Sequence, residues 1–244
     1  MDFHGALEER HSVRSFTAAP LSEEERTALG QEIARSNEAG NLHMCLVVDE
    51  PEAFSSLLAH YGKFRNVSNY LVLAGTPAPS LEQRCGYFGE RIVLAAQELG
   101  LRTCWVGGTF KRRLVKRMAS ADDRLVLVVA LGHGEGEGHA HRSKSADTVT
   151  SIPEGTEVPA WFGAGVDAAL KAPTAMNQQS FEIGWAGRTT QDGIPFVSIR
   201  SKGGPFSAVD LGIVRLHFEI GAAAAGGRFA WEDGWTSFLP EYGL

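Results

Sequence analysis

The spacing of apolar residues switches between a helical and a strand-like period along the chain. In residues 21–36, LSEEERTALGQEIARS, an acidic first turn follows Ser22, and Glu25 stands three positions on. That is a capping-box signature and predicts a helix. Short apolar runs at 44–48 and 69–75 (NYLVLAG) predict strands, and Phe54, Leu57 and Leu58 place a helix over 51–60. Phe88, Ile92, Ala95 or Ala96 and Leu99 repeat at helical spacing through 86–100, where Gly100 ends the element. RTCWVGG (102–108) and RLVLVVALG (124–132) read as strands on either side of a basic helix, KRRLVKRM (111–118). Periodicity then fades. Residues 132–158 are rich in glycine, histidine and charge, and predict a long exposed connection ordered by a ligand or by packing. The pattern resumes with a helix at 158–173, a hairpin from 181–187 and 195–200, a helix at 210–227 and a last strand at 228–234.

The resumption reads as an internal duplication. In both parts a helix leads to two strands and then a long helix with Gly89 or Gly212 in its first turn. An aromatic strand follows each, CWVGG or AWEDG. The expected fold class is α+β, with halves 1–145 and 146–244 packed as one unit. The plainer alternative is one large α+β domain.

Composition narrows the function classes. The chain has 244 residues, 43% hydrophobic and 21% charged, which suits a globular fold with a sizeable core. A net charge of −6 gives no basic surface for nucleic acid. No apolar run approaches membrane-spanning length, and the N-terminus has no secretory-leader pattern, so a cytoplasmic protein is expected. Cys45, Cys85 and Cys104 lack CxxC spacing and read as reduced core residues.

Three segments carry chemistry. Arg10, His11, Ser12 and Arg14 bring guanidinium forks and a hydroxyl to one short stretch, which suits a phosphate dianion, although a solvated turn would look similar. Pro173, Thr174, Ala175, Asn177 and Gln179 lie on a turn dense in neutral donors and acceptors, equipment for a polyol chain or a heterocycle edge. Gly107, Gly108 and Thr109 end a strand in a turn where a backbone N–H can approach a planar ligand. The histidines and glutamates of GHGEGEGHAH alternate on a glycine-rich loop and are not preorganised for a metal, so no metal is expected. The cations of 111–118 read as a solvated helix face, or more sharply as an attractor for a nicotinamide nucleotide's 2′-phosphate. GAAAAGG (221–227) ends a helix rather than opening one and is no dinucleotide fingerprint.

Together these segments resemble the FMN-dependent nitroreductase family. Its phosphate motif, Arg-x-Ser-x-Arg/Lys-x-Phe/Tyr, is matched by Arg10, Ser12, Arg14 and Phe16. Its Pro-Ser/Thr-x-x-Asn-x-Gln motif is matched by Pro173, Thr174, Asn177 and Gln179, with Ser180 and Phe181 in place of the usual Pro-Trp. Ordinary members carry the second motif roughly thirty residues after the first. Here it stands in the second half, which is similar to fused members in which one chain folds as a pseudo-dimer. The resemblance implies one FMN per chain and NADH or NADPH as co-substrate, with electrons passed to a nitroaromatic, quinone or similar small-molecule acceptor. Lys63 would face the flavin pyrimidine, and Arg142 and Lys144 would form a basic pair near the phosphate. No side-chain nucleophile is required. A monomer is compatible with a fused chain, and so is further self-association. A flavin-binding or redox-sensing module without turnover is the competing reading.

Overall fold

The computed structural model describes residues 2–55 and 62–239. It divides into two compact units, Met1–Ala140 and His141–Leu244, so the boundary falls a few residues before the 145/146 division expected from sequence. No helix among the described residues is long and apolar enough to cross a membrane.

The first unit opens with α1 (Phe3–Glu9) and α2 (Glu23–Gly40). The capping box at the start of α2 is complete: the Glu25 N–H donates to the Ser22 hydroxyl (3.1 Å) and the Ser22 N–H to the Glu25 carboxylate (2.7 Å). Next come β1 (Cys45–Val47), β2 (Asn69–Gly75), α3 (Leu81–Glu98), β3 (Arg102–Val106), a short α4 (Arg112–Val115) and β4 (Arg124–Gly132). The four strands form an antiparallel sheet in the order β1-β2-β4-β3. Every residue of β2 is buried, so both faces of the sheet are covered. Tyr70, Val72 and Ala74 alternate onto a core with Phe54, Phe64 and Phe110. On the opposite face α3 lies close because residue 89 is glycine: a Cβ there would stand 2.8 Å from the Trp105 ring and 3.1 Å from Leu73.

Three expectations are revised here. Helix α3 starts at Leu81 and is buried almost all round, charged Glu90 and Arg91 included, where an amphipathic helix from 86 was expected. Arg91 is satisfied by the buried Glu32 of α2 (3.0 Å) and stacks over Phe3. Of the helix expected at 51–60, a single 3₁₀ turn spans Glu52–Phe54; residues 56–61 lie outside the described residues. The basic helix is not simply solvated. Lys111 donates to the Ser55 hydroxyl, Arg112 to the carbonyls of Leu125 and Val126, and Lys116 to those of Ser120, Ala121 and Asp123.

The second unit contains α5 (Ala146–Val149), β5 (Thr150–Ser151), α6 (Ala160–Ala169), β6 (Phe181–Thr189), β7 (Pro195–Ser201), α7 (Ser207–Ala224) and β8 (Ala230–Trp231). Its sheet order is β5-β6-β7-β8, an antiparallel β6–β7 hairpin flanked by parallel edge strands. Helices α6 and α7 meet along small residues. A Cβ on Gly221 would stand 2.5 Å from both the Ala164 carbonyl oxygen and the Ala168 Cβ. Trp161, Phe162, Trp185, Phe218, Phe229 and Trp231 form a continuous aromatic core.

The two units repeat one device. In the first, the Trp105 indole N–H donates to the buried Glu90 carboxylate of α3 (2.8 Å); in the second, Trp231 donates to the buried Glu219 carboxylate of α7 (2.6 Å). Each buried carboxylate is thereby satisfied by the strand that follows its helix.

Candidate functional site

In the first unit the Arg10–Arg14 segment runs beside the outer edge of β3. Ser12 bridges Thr103 in parallel register, and the Val13 N–H donates to the Thr103 carbonyl (2.9 Å). The next residues are paired on two further sides. The Arg65 N–H donates to the Arg14 carbonyl, the Phe16 N–H to the Arg65 carbonyl, the Thr17 N–H to His133 and the Glu135 N–H to Ser15. Val13 and Phe16 anchor this stretch in the core while Arg14 stays exposed.

The stretch beyond residue 132, expected to be an exposed connection ordered by a ligand or by packing, packs in part against this motif while most of its residues stay exposed. Gly138, at φ +75°, crosses so close to the motif that a Cβ would stand 2.8 Å from His11 Cβ and 3.2 Å from the Ser12 carbonyl oxygen. Glu135 pairs with Arg65 (3.0 Å), Glu137 with Arg102 and His133 with Glu25 (3.4 Å). No group of side chains among the described residues could hold a metal ion.

Cys104, on β3 next to Thr103, lies under this segment and is buried. Burial pushes the Cys104 thiol up, against the opposing influence of the Arg14 and Arg10 charges and a Ser12 hydrogen bond. Arg10 is only 4% exposed, and its Nε forms an ion pair with the buried Glu90 carboxylate at 3.5 Å, beyond a well-formed hydrogen bond. Directly after β3 ends at Val106, the chain bends at Gly107 and Gly108. Space around Gly108 is open, with nothing within 4 Å of a Cβ built there. Lys63, exposed and left-handed at φ 60°, sits on a turn whose neighbouring Gly62 would bring a Cβ within 2.9 Å of the Thr109 hydroxyl. The fold thus brings the Lys63 turn against the 107–109 turn, though some forty residues separate them in sequence.

In the second unit the amide segment is a strained loop. Met176, Asn177 and Gln179 all have positive φ (51°, 53° and 42°), a region that costs ordinary residues about 1–2 kcal/mol each. The strain is held by a dense set of hydrogen bonds. Gln179, 1% exposed, accepts from the Lys144 N–H (2.7 Å) and donates to the Leu170 carbonyl (3.2 Å) and the Asn177 carboxamide oxygen (3.3 Å). Its own N–H donates to the Thr174 hydroxyl (3.0 Å). Asn177 donates to the Arg142 carbonyl (2.8 Å), and the Lys144 ammonium to the carbonyls of Gln178 (2.8 Å) and Gln179 (3.1 Å). Within this unit Lys144, through its N–H and its ammonium, and Arg142, through its carbonyl alone, hold the amide loop. Pro173 and Thr174 lead into the loop half-buried, and the Ala175 N–H is bonded rather than free.

Its partner is Asp210, a residue the sequence reading passed over. Asp210 in the first turn of α7 accepts from the Ala175 N–H at 3.0 and 3.1 Å and from the Gln178 carboxamide at 2.8 Å. Burial pushes its carboxyl up to about 6, opposed by those same hydrogen bonds from Gln178 and Ala175. The only hint in sequence was an acid near the start of a predicted helix, a placement usually read as dipole complementation. Glu90 was also missed, because a carboxylate within an apolar helix carries no sign of what it will meet.

No curated protein matches the chain. Among solved structures it is similar to a putative nitroreductase from Thermotoga maritima, with a TM-score of 0.59 and 20% identity, covering 92% of this chain and 85% of that one. It is also similar to a putative nitroreductase from Desulfovibrio desulfuricans in complex with FMN, with a TM-score of 0.51 and 18% identity over 65% of this chain and 99% of that one. The NADPH:FMN oxidoreductase of Vibrio harveyi, complexed with NAD+, gives a TM-score of 0.50 and 16% identity over 66% and 80%. At these identities the structural likenesses establish a nitroreductase-like fold. The family model described as "Putative TM nitroreductase" matches residues 2–222, nearly the whole chain, and to that family the chain belongs.

Proposed function

We propose that the protein is an FMN-dependent oxidoreductase that takes electrons from NADH or NADPH and passes them to a planar organic acceptor such as a nitroaromatic or a quinone. The observation that carries this reading is the edge of the first unit. The Arg10–Ser12–Arg14 motif pairs with β3 at Thr103, and the same strand ends in the open turn at Gly107–Gly108. Four residues of strand separate the two features, about 13 Å. That is the scale of a phosphate-bearing polyol chain and the edge of the ring it carries.

The residues present fit FMN. The exposed Arg14 and the Ser12 hydroxyl suit its phosphate, with Arg10 and His11 beside them in the motif. The 107–109 turn suits the ring edge, because the space where a Gly108 side chain would stand is open. Lys63, placed against this turn, would favour the electron-rich state of the ring through its charge. Pro173, Thr174, Ala175, Asn177 and Gln179 are the proposed flavin contacts of the second unit, supported by their motif. Gln179 serves there by fixing the loop, since its carboxamide is fully engaged. When bound, FMN supplies reversible transfer of electrons between a reduced nicotinamide and an acceptor. The protein's part is to hold it and tune its charge.

Charge-assisted hydrogen bonds contribute about 1.5–3 kcal/mol each. The expected result of titrating apoprotein with both flavins is therefore FMN binding at least a hundredfold tighter than riboflavin. Arg14→Ala should weaken FMN by about 10- to 150-fold and leave riboflavin unchanged. Equal affinity for the two flavins would remove the phosphate assignment. Anaerobic bleaching of the bound flavin by NADH or NADPH, and its return on adding a quinone, separates an enzyme from a flavin-binding module without turnover.

A further inference from the structure

One buried carboxylate joins the two features of the first unit on which the flavin reading stands. Glu90 of α3 is fully buried, and its two oxygens face different donors. Oε1 pairs with Arg10 Nε at 3.5 Å, and Oε2 accepts from the Trp105 indole N–H at 2.8 Å. Arg10 opens the Arg10–Arg14 segment, and Trp105 stands on β3 two residues before Gly107. The backbone around Arg10 is fixed by other means. Its own N–H donates to the Ala6 carbonyl at the end of α1 (3.0 Å), and the Val13 N–H donates to the Thr103 carbonyl. Backbone pairing leaves open the direction of a long, flexible side chain. Glu90 sets that direction, and Glu90 is itself rigidly placed: α3 is buried almost all round, and it lies so close to β3 that a Cβ on Gly89 would stand 2.8 Å from the Trp105 ring.

The second unit supplies a comparison. Glu219 of α7 accepts from the Trp231 indole (2.6 Å) and from the Ser237 hydroxyl (2.9 Å) through the same oxygen, Oε1. Both of these donors are neutral, and the single carbonyl oxygen of a glutamine could serve them. At Glu90 each oxygen has its own donor, and one donor is a guanidinium. A glutamine there would offer one acceptor and turn an NH2 group on the other partner. Of these four contacts, only the one from Arg10 calls for a negative charge, because a buried cation needs a counter-charge beside it.

We propose that Glu90 is a positioning residue for the phosphate end of the flavin site: it fixes the Arg10 guanidinium before a ligand arrives, so that the charge of Arg10 adds to that of Arg14 without being ordered at the moment of binding. The proposal rests on the flavin reading of the Arg10–Arg14 segment and deepens it, by giving a role to a carboxylate that the ligand itself does not touch.

The test titrates the full-length apoprotein with FMN and with riboflavin, because the ratio of the two affinities isolates the phosphate. In Glu90→Gln this ratio should fall about tenfold. In Trp105→Phe, which keeps the Arg10–Glu90 pair, and in Glu219→Gln it should stay within about twofold of the unaltered protein. A merely structural carboxylate would lower the melting temperature and leave the ratio where it was. A second measurement needs neither flavin nor a change at position 90. In 15N-labelled protein the Arg10 Nε–H signal, assigned by its loss in Arg10→Lys, should exchange with water about a hundredfold more slowly than that of exposed Arg14. Equal exchange at Arg10 and Arg14 overturns the proposal. So does an unchanged ratio in Glu90→Gln, and either result leaves the flavin reading intact. A ratio that rises also overturns it, because Glu90 then competes with the phosphate for Arg10 instead of presenting it. A protein that takes up neither flavin refutes the flavin reading instead, and exchange at Arg10 then decides alone whether Glu90 fixes that side chain.

Discussion

Asp210→Asn isolates one buried carboxylate that holds the amide loop. Asp210 is 7% exposed, and its carboxyl is raised from 3.8 to about 6 by burial, despite the bonds from Ala175 and Gln178. A carboxylate whose folded value lies above its unfolded value stabilises the fold when protonated. That contribution is complete below about pH 4 and is lost as pH rises through about 6. The displacement is worth about 3 kcal/mol. Asparagine keeps an acceptor for the Ala175 N–H but turns a donor toward its surroundings, at a cost of about 1 kcal/mol. The variant should therefore be slightly less stable than the unaltered protein at pH 4 and more stable by about 2 kcal/mol at pH 7.5. Urea unfolding of both proteins at several pH values between 4 and 8 measures this, because titrations elsewhere cancel in the difference. A stability difference that does not change between pH 4 and pH 7.5 would refute the reasoning.

Gly221→Ala should destabilise by about 1–3 kcal/mol in thermal or urea melts, because the added methyl meets the Ala164 backbone of α6 and nothing there can rotate away. Gly163→Ala, on the open side of α6 with nothing within 4 Å, should instead be neutral or stabilising by up to about 1 kcal/mol. Of the three cysteines, only half-buried Cys45 should react with a disulfide reagent in the native protein, and slowly, since burial raises its thiol. Cys85, pushed up to about 12 by burial, and buried Cys104 should react only on unfolding, which a thiol count with and without urea reads directly.

Much of the fold was legible because local signals agreed with it. Ser22 and Glu25 stand at a complete capping box, and NYLVLAG coincides with β2 to the residue. Periodicity failed where burial was total. Inside α3 and α7 the polar residues Glu90, Arg91, Arg215 and Glu219 sit in the interior, satisfied by partners far along the chain such as Glu32, Trp105, Asp233 and Trp231. Such pairings leave no trace in a hydrophobic pattern. The glycine-rich run after residue 132 is exposed over much of its length, as its low periodicity predicts, and its glycines allow close passage over His11 and Ser12, a contact that no pattern in the run announces. The candidate motifs were visible from residue types alone. Their supports were not: the Lys63 turn against Thr109, the Lys144 clamp and the Asp210 brace all depend on contacts between distant segments.

The three-sided backbone pairing of residues 13–17, to Thr103, Arg65 and residues 133–135, has a thermodynamic consequence for whatever anion this stretch receives. A loop that must first be ordered spends part of its intrinsic attraction on lost chain entropy, about 1–2 kcal/mol for each residue fixed. Here folding has already met that cost, so association with a small dianion should draw on nearly all of the available electrostatic attraction and should proceed without a slow rearrangement step.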